Sequence, residues 1–349
     1  MKKSFITIAF FLITVIASAQ PQGYYDAAQG KTGQVLRAAL HGIIKGHTSV
    51  SYNQMLQHFP QTDAKPNGKV WDMYSDIPGG TPYYQYNFND NCGNYSGEGD
   101  CYNREHLWPQ SWFNEKTPMK SDFFHIVPTD GYVNGKRSNY AFGEVGNVEW
   151  SSTNGSKLGK CKYPGFNGTV FEPIDEYKGD IARSMFYMTV RYYGEDSGWD
   201  SSDMTNKCTI KQWALNMLLE WHRSDPVSQK EIDRNEAVYD IQHNRNPFID
   251  NPEFAEMIWN PSWGLEDETV SNEINIYPNP AASYFNVEGS DIQMIKVYGL
   301  NGTLVTAVQV AQCDTMTSIN VENLKSGLYL VSVIKVDGSV VTRQVIVKQ

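Results

Sequence analysis

Hydrophobic side chains recur at helical spacing in three stretches of the chain, residues 35–44, 181–192 and 213–221. In the first stretch, Leu36, Leu40 and Ile43 lie three or four positions apart, which places them on one face of a helix. The other two stretches repeat apolar residues in the same way. We therefore expect three core helices in this part of the chain.

Residues 83–173 have a different pattern, because they are rich in Gly, Asn, Tyr and Phe and contain only short β-like runs. Glycine and asparagine clusters interrupt regular structure and mark turns. We expect long loops and small hairpins here, resting on the helical scaffold.

The C-terminal part, residues 274–349, consists of short alternating runs such as Tyr329, Val331 and Val333. The pairs Asn301-Gly302 and Asp337-Gly338 interrupt these runs and are preferred residues of two-residue hairpin turns. This pattern predicts a small antiparallel β-sandwich. Residues 265–273 are acidic and lack aromatic side chains, so we interpret them as a linker. The whole chain is then α+β, with a main domain over residues 20–264.

Composition narrows the classes of partner. The 349 residues include 40% hydrophobic and 19% charged side chains, which is enough apolar material for a folded core. The formal net charge is −10. This excludes the broad basic surface of a protein that coats nucleic acid, so any polyanion has to be held locally.

The first 19 residues have the features of a cleaved secretory signal. Lys2 and Lys3 precede an apolar run over residues 5–16, and Ala17-Ser18-Ala19 precedes Gln20, where we expect the mature chain to begin. The apolar run is shorter than the ~20 residues of a membrane span, and no later segment comes closer. We expect an exported protein without a membrane span.

Export permits disulfide bonds, and the chain has five cysteines. Cys92 and Cys101 lie nine positions apart across a loop rich in Asn and Gly, so they are the first candidate pair. Cys161 with Cys208 is the second, which leaves Cys313 over.

Three segments contain the residues with catalytic potential: YNREHLWPQS at 102–111, SDFFHIVPTD at 121–130 and NGKRSN at 134–139. The chain lacks the sequence motifs of serine hydrolases, zincins and P-loop proteins. The three segments resemble those of the bacterial endonuclease I family, secreted and periplasmic nucleases with a ββα-metal (His-Me) finger. The resemblance covers roughly residues 30–260 and includes KGDIAR at 178–183 and NRNPFID at 244–250.

The resemblance implies a role for each central residue. His106 would be the general base, since a neutral imidazole can take a proton from the attacking water. Glu105 and Asn139 would be the metal ligands, and their oxygens suit Mg²⁺ or another divalent cation such as Mn²⁺ or Ca²⁺. The resemblance implies cleavage of DNA to 5′-phosphate products and leaves RNA open as a further substrate.

Local geometry adds two expectations. Successive side chains of a regular strand point to opposite faces, so Glu105 and His106 require a bulge or an approach to the phosphate from two sides. If Asp130 caps a helix that starts near Gly131, then Lys136 and Asn139 share one face, which puts Lys136 beside the ion.

The cationic side chains have alternative roles. Arg104 and Arg137 are candidate phosphate-binding groups, because a guanidinium binds phosphate oxygens in a fixed fork; the alternative is a structural salt bridge to Asp122 or Asp130. Arg245 is a candidate for a nucleic-acid groove, although a turn that locks the C-terminal helices is the favoured role of its segment.

Four further residues are candidates for supporting roles at the site. His125 lies in an apolar run, so we expect it in the core or behind the catalytic residues, where we also place Asp122. The segment 112–120 offers only Lys116 and Lys120 as groups that could assist the leaving oxygen.

The C-terminal domain resembles the sorting domain of type nine secretion cargo, with IYPNP at 276–280 and LKSGLYLV at 324–331. This implies a partner in the secretion machinery and a secreted or cell-surface location reached through the periplasm. Two alternatives remain for the whole chain. One is a glycoside hydrolase that pairs Glu105 with Asp122 or Asp130. The other is a noncatalytic surface adhesin.

Overall fold

The computed structural model describes residues 20–260, 274–300, 302–311, 315–336 and 338–348. These residues form two compact units, one within residues 20–260 and the other within residues 274–348. The mixture of helices and sheets confirms the predicted α+β class. The expected signal segment and the expected linker lie outside the described residues.

The first unit contains the helices α1 (Gly33–Ile44), α2 (Met55–Thr62), α3 (Gly131–Arg137), α4 (Lys178–Arg191), α5 (Gln212–Ser224), α6 (Gln229–Gln242), α7 (Pro247–Asp250) and α8 (Phe254–Trp259). The three helices predicted from hydrophobic spacing are confirmed as α1, α4 and α5. Helix α4 is buried along almost its whole length and packs against both α1 and α5. These three helices form the centre of the unit.

The strands of the first unit are β1 (Tyr102–His106), β2 (Ile126–Asp130), β3 (Ala141–Phe142), β4 (Val145–Ser151), β5 (Lys157–Cys161), β6 (Thr169–Glu172), β7 (Thr205–Asn206) and β8 (Thr209–Ile210). Most of them lie in the segment predicted to form small hairpins. Strands β3, β6, β5 and β4 form one sheet in that order, in which β3 and β6 are parallel.

Strands β1 and β2 pair antiparallel, with Tyr102 opposite Asp130 and His106 opposite Ile126. Helix α3 follows β2 directly, because the Asp130 side chain accepts a hydrogen bond from the Val133 N–H at 2.8 Å and caps the helix. The result is a compact ββα arrangement.

The second unit contains β9 (Asn275–Tyr277), β10 (Tyr284–Glu288), β11 (Ile292–Gly299), β12 (Leu304–Gln309), β13 (Met316–Asn320), β14 (Gly327–Lys335) and β15 (Val340–Val347). They form two antiparallel sheets, β13-β10-β9 and β12-β11-β14-β15, around an aliphatic core. The β11–β12 and β14–β15 pairs confirm the two predicted hairpins, whose Asn301 and Asp337 lie outside the described residues.

One disulfide prediction is confirmed and one is wrong. Cys92 and Cys101 form a disulfide with their Cα atoms 5.8 Å apart. Cys161 and Cys208 are free thiols with different neighbours. Cys161 Sγ lies 3.9 Å from Tyr163 O, whereas Cys208 Sγ is buried 4.0 Å from Arg37 Nη2. The second candidate pair does not form because the two cysteines have different neighbours in the unit. Cys313 lies outside the described residues.

Candidate active site

The ββα arrangement borders a cavity of about 520 Å³. Its lining residues are Tyr52, Cys92, Gly93, Asn103, Arg104, Glu105, His106, Pro109, Gln110, Ser111, Asn134, Ser138 and Asn139. Four residues that the sequence analysis selected, Arg104, Glu105, His106 and Asn139, thus meet in one pocket. Tyr52, Asn103 and Asn134 join them without having been assigned a role. The other predicted site residues do not line this pocket.

His106 ends β1 and is 4% exposed at the pocket wall. Its Nε2 lies 3.3 Å from the main-chain oxygen of Lys120. A carbonyl oxygen can only accept a hydrogen bond, so Nε2 carries the proton and Nδ1 keeps its lone pair. Burial, together with the nearby His125 ring, holds the pKa of His106 well below its usual value. The imidazole is therefore neutral and can accept a proton at Nδ1.

Glu105 is 2% exposed and is held by two donors on the same oxygen. The Tyr74 hydroxyl and Arg137 Nη1 both donate to Oε1, each at 2.9 Å. Burial raises the pKa of Glu105 above its usual value, although the Arg137 guanidinium opposes that shift. Both of these side-chain donors use Oε1, and Glu105 lines the pocket. The carboxylate is therefore placed where a ligand in the pocket can reach it.

Strand β1 carries Glu105 and His106 next to each other without the bulge that was one of the two expected arrangements. The β1–β2 register runs without a shift from Tyr102 to His106. Glu105 contacts Tyr74 and Arg137, while the His106 ring packs 5.5 Å from His125. The two side chains therefore leave β1 in different directions and both line the pocket, without the predicted bulge. An approach to the phosphate from two sides stays a prediction.

Helix α3 supplies Asn134 to the pocket. Its Nδ2 donates to Asn103 Oδ1 at 2.7 Å, which fixes the orientation of the amide. Among the described residues, none donates a hydrogen bond to Asn134 Oδ1. An oriented amide oxygen in a pocket that also contains a carboxylate is a suitable donor for a hard cation. The sequence did contain a signal for it: with Asp130 as cap, Asn134 falls on the helix itself.

Asn139 lines the pocket from a different element. Helix α3 ends at Arg137, and Ser138 follows with a φ of 52°, so Asn139 lies beyond the helix and is exposed. The expectation that Lys136 and Asn139 share a helical face is wrong for this reason. Lys136 Nζ lies 5.1 Å from the centre of the Tyr132 ring and 5.9 Å from that of Trp150, outside the pocket.

Two arginines predicted to bind phosphate are buried instead. Arg137 has 0% exposure and donates to Glu105, to His106 O and to Leu107 O. Its salt-bridge partner is Glu105 rather than Asp122 or Asp130. Arg245 is 1% exposed and binds Asp250 and Glu236, which agrees with the favoured role of its segment as a structural turn.

His125 and Asp122 lie behind the pocket in the core. His125 Nε2 lies 2.7 Å from Met119 O, and burial lowers the pKa of the His125 ring to about 4. Asp122 accepts hydrogen bonds from the hydroxyls of Tyr187 and Tyr192 and from Gln242 Nε2. Burial opposes ionisation of Asp122, but His47, His125 and Arg191 hold its pKa below the usual value. Both residues therefore support His106 from the side of the core.

The pocket does not fit a glycoside hydrolase with paired carboxylates. Glu105 is its only carboxylate among the described lining residues. Asp122 and Asp130, the two proposed partners, are fully buried and bonded to other groups. The Asp130 carboxylate accepts hydrogen bonds from the Tyr86 hydroxyl and from the N–H groups of Gly99 and Val133.

The donor set fits a cation that keeps most of its own water. The described residues contain no group of three or more His, Cys, Asp or Glu side chains that could enclose a metal ion. One carboxylate and one or two amide oxygens at the pocket wall match the sparse protein ligation of Mg²⁺, which leaves positions for water and phosphate oxygens. The residues present therefore fit a Mg²⁺-like ion at the pocket.

Comparison with known proteins agrees with the geometry. The model of the family described as Endonuclease I matches residues 32–253. An extracellular ribonuclease of Bacillus amyloliquefaciens is 38% identical over 255 residues, 70% of this chain and 81% of that protein. One of Bacillus subtilis (strain 168) is 37% identical over 261 residues, 71% of this chain and 83% of that protein. A periplasmic deoxyribonuclease of Aeromonas hydrophila is 29% identical over 138 residues, 39% and 50% of the two chains.

The second unit has its own match. The model described as Secretion system C-terminal sorting domain covers residues 275–348. No helix among the described residues has the length and apolar character needed to cross a membrane. Together with the extracellular relatives, the sorting domain identifies a secreted or cell-surface protein. Because the first family model spans more than half of the sequence, and the two extracellular ribonucleases are similar over most of their length, the chain belongs to the endonuclease I family.

Proposed function

We propose that this protein is a metal-dependent, sequence-nonspecific endonuclease that hydrolyses phosphodiester bonds of DNA and RNA to 5′-phosphate products outside the cell. The observation that supports it most is the state of His106. A main-chain carbonyl fixes its Nε2–H, burial keeps it neutral, and the residue lines a pocket that also contains Glu105 and Asn134.

In this proposal His106 Nδ1 accepts a proton from the water that attacks the phosphorus. The Lys120 carbonyl holds the ring and stabilises the imidazolium that forms. The His125 ring, packed 5.5 Å away, restricts rotation of His106. The low pKa of His106 means that the ring is available as a base over the whole neutral pH range.

Glu105 Oε2 and Asn134 Oδ1 are the proposed ligands of the cation, with the Arg137 and Asn103 side chains holding them in place. The sequence-based ligand Asn139 is an alternative at the exposed rim. A bound divalent ion would neutralise phosphate charge and stabilise the departing 3′ oxygen. The third proposed element is Arg104, the only Lys or Arg among the described residues that line the pocket.

The substrate range rests on the relatives, whose names include both ribonucleases and deoxyribonucleases. The net charge of −10 and the single pocket arginine predict modest affinity that falls as salt rises. The C-terminal domain is proposed to bind the secretion machinery, as its family description suggests.

Purified protein incubated with supercoiled plasmid and with single-stranded RNA tests the proposal. Both substrates should be cut in Mg²⁺ or Mn²⁺, EDTA should stop cleavage, and added divalent ion should restore it. Products should accept adenylylation by a ligase that requires 5′-phosphate ends. Full activity in EDTA would contradict metal dependence. No cleavage of either substrate under any condition would favour the adhesin alternative.

A further inference from the structure

Tyr52 stands next to Arg104 at the pocket but belongs to a distant part of the chain. It lies in the turn before α2, whereas Arg104 lies in the middle of β1. The guanidinium carbon of Arg104 is 3.6 Å from the centre of the Tyr52 ring, and Arg104 Nη1 donates to Tyr52 O at 2.6 Å. One residue therefore holds this guanidinium through both its ring and its main chain.

The turn that carries Tyr52 is itself fixed. Gln54 N donates to Ser51 O at 3.0 Å, and Ser51 N donates to the Gln54 side-chain oxygen at 3.0 Å. The Tyr52 ring is half-buried and lies 5.7 Å from the His106 ring. The Tyr52 ring is thus held in place next to both the Arg104 guanidinium and the proposed base.

The two arginines nearest to the base differ in what they can still bind. Arg137 is buried, and its Nη atoms donate to protein oxygens. Arg104 is half-buried, lines the pocket and forms no ion pair with any carboxylate in the described part of the chain. A guanidinium stacked on one face and anchored at one nitrogen keeps its other N–H groups for a bidentate acceptor.

We propose that Tyr52 is a positioning residue that fixes Arg104 as the phosphate-binding group of this pocket, so that substrate affinity rather than turnover depends on Tyr52. This inference rests on the proposed nuclease function. The ligand is a backbone phosphate of the bound strand. An oriented guanidinium loses less conformational freedom on binding than a mobile one, so removing its support weakens the complex.

The test measures binding and kinetics of the full chain. Binding of a fluorescein-labelled single-stranded oligonucleotide is followed by anisotropy in a His106→Ala background, where the proposal predicts that cleavage is about 10²–10⁴-fold slower. Tyr52→Leu should weaken binding about three- to tenfold, the range expected for loss of one cation–π contact. Tyr52→Phe should retain most of the affinity, because the ring and the main-chain acceptor remain. The exposed Tyr83 provides the matched control, and Tyr83→Leu should bind like the parent.

Two further readouts separate positioning from a general loss of structure. In the active enzyme, Tyr52→Leu should raise KM and leave kcat close to that of the parent. The double variant Tyr52→Leu/Arg104→Ala should bind no more weakly than Arg104→Ala, because the two residues act through one contact. Arg104→Ala should also reduce the slope of log affinity against log salt by about 0.7, the value for one lost phosphate contact on a single strand.

Each outcome decides between the two proposals. Unchanged affinity in Tyr52→Leu, or losses that multiply in the double variant, would overturn the role of Tyr52 even in an active nuclease. If the protein binds oligonucleotide with the expected Tyr52 dependence and never cuts, the nuclease proposal fails and the positioning role stands.

Discussion

The two units of the chain have interiors of different chemistry. Residues 20–260 bury many charged and polar side chains, from Arg37 to Glu256, among a core rich in aromatic rings. In the described residues from 274 onward, the buried core consists of Ile, Val, Ala and one Phe, without buried charged side chains. The interior of the first unit contains fixed polar groups. The second unit folds through apolar alternation alone.

The difference in the interiors follows from where each unit places its functional residues. One buried polar network of the first unit ends at the pocket, where Tyr74 and Arg137 bind Glu105. A polar group placed in this way keeps its geometry because its neighbours are also bonded. The second unit presents strands whose outer faces are accessible, so its proposed function as a sorting domain lies at its surface. Four substitutions test this contrast.

The largest effect is expected from His106→Ala. Loss of a general base should lower kcat about 10²–10⁴-fold without a change in fold, since the side chain ends at a pocket. Plasmid cleavage and far-UV circular dichroism measure the two effects. His243→Asn is the matched control, because His243 is exposed at the end of α6 and an asparagine tolerates its φ of 60°. Equal loss in the control would point to damage of the fold.

Arg245→Met should have the next largest effect, on stability. It removes one partner of buried ion pairs with Asp250 and Glu236, and breaking such a pair costs about 3–5 kcal/mol. All tryptophans lie at or before Trp263, so the urea transition of tryptophan fluorescence reports the first unit alone. Lys45→Met at an exposed position is the control. A transition unchanged in Arg245→Met would refute the structural role of Arg245.

Asn134→Ala should have a smaller effect, on metal binding. Its oxygen is a proposed ligand, and its loss should weaken Mn²⁺ binding about 10–100-fold, as substitutions around metal sites commonly do. Asn139→Ala is the matched variant and should leave binding close to that of the parent. Calorimetric titration of Mn²⁺ measures both. The reverse order of effects would restore Asn139, the residue expected from the sequence, as the ligand.

The smallest effect is expected in the second unit. Ile295→Val removes one methylene from a fully buried side chain of β11 and should cost about 1 kcal/mol. Hydrogen exchange of β11 and β14 amides should become faster. Neither kcat/KM nor the tryptophan transition should change, because neither depends on the apolar core of this unit. A loss of cleavage activity would show that the two interiors are coupled.

The sequence predicted those helices whose apolar residues recur regularly on one face. Helices α1, α4 and α5 follow from hydrophobic spacing, and the β-strands of the second unit follow from alternation. Helix α6 was missed because most of its residues are polar or charged and its apolar positions are few. A local signal was present: Ser228 and Glu231 form a capping box at its start, with reciprocal hydrogen bonds between side chain and main chain.

The candidate site was predictable only where adjacent residues carry it. Arg104, Glu105 and His106 are neighbours on β1, so one strand delivers all three to the pocket. The placements of Lys136 and Arg137 were not predictable, because they depend on where α3 ends and on which cation is buried. Tyr52 joins the pocket through tertiary packing across 52 positions and has no sequence signal of its own.

The most direct test of the central claim is the position of a bound cation relative to His106. Anomalous diffraction from crystals of the His106→Ala protein, soaked with Mn²⁺ and a short oligonucleotide, locates the ion and the strand together. The account predicts one strong peak between Glu105 Oε2 and Asn134 Oδ1, with a phosphate of the strand against it and facing position 106. A peak elsewhere, or a strand bound away from this pocket, would contradict the account.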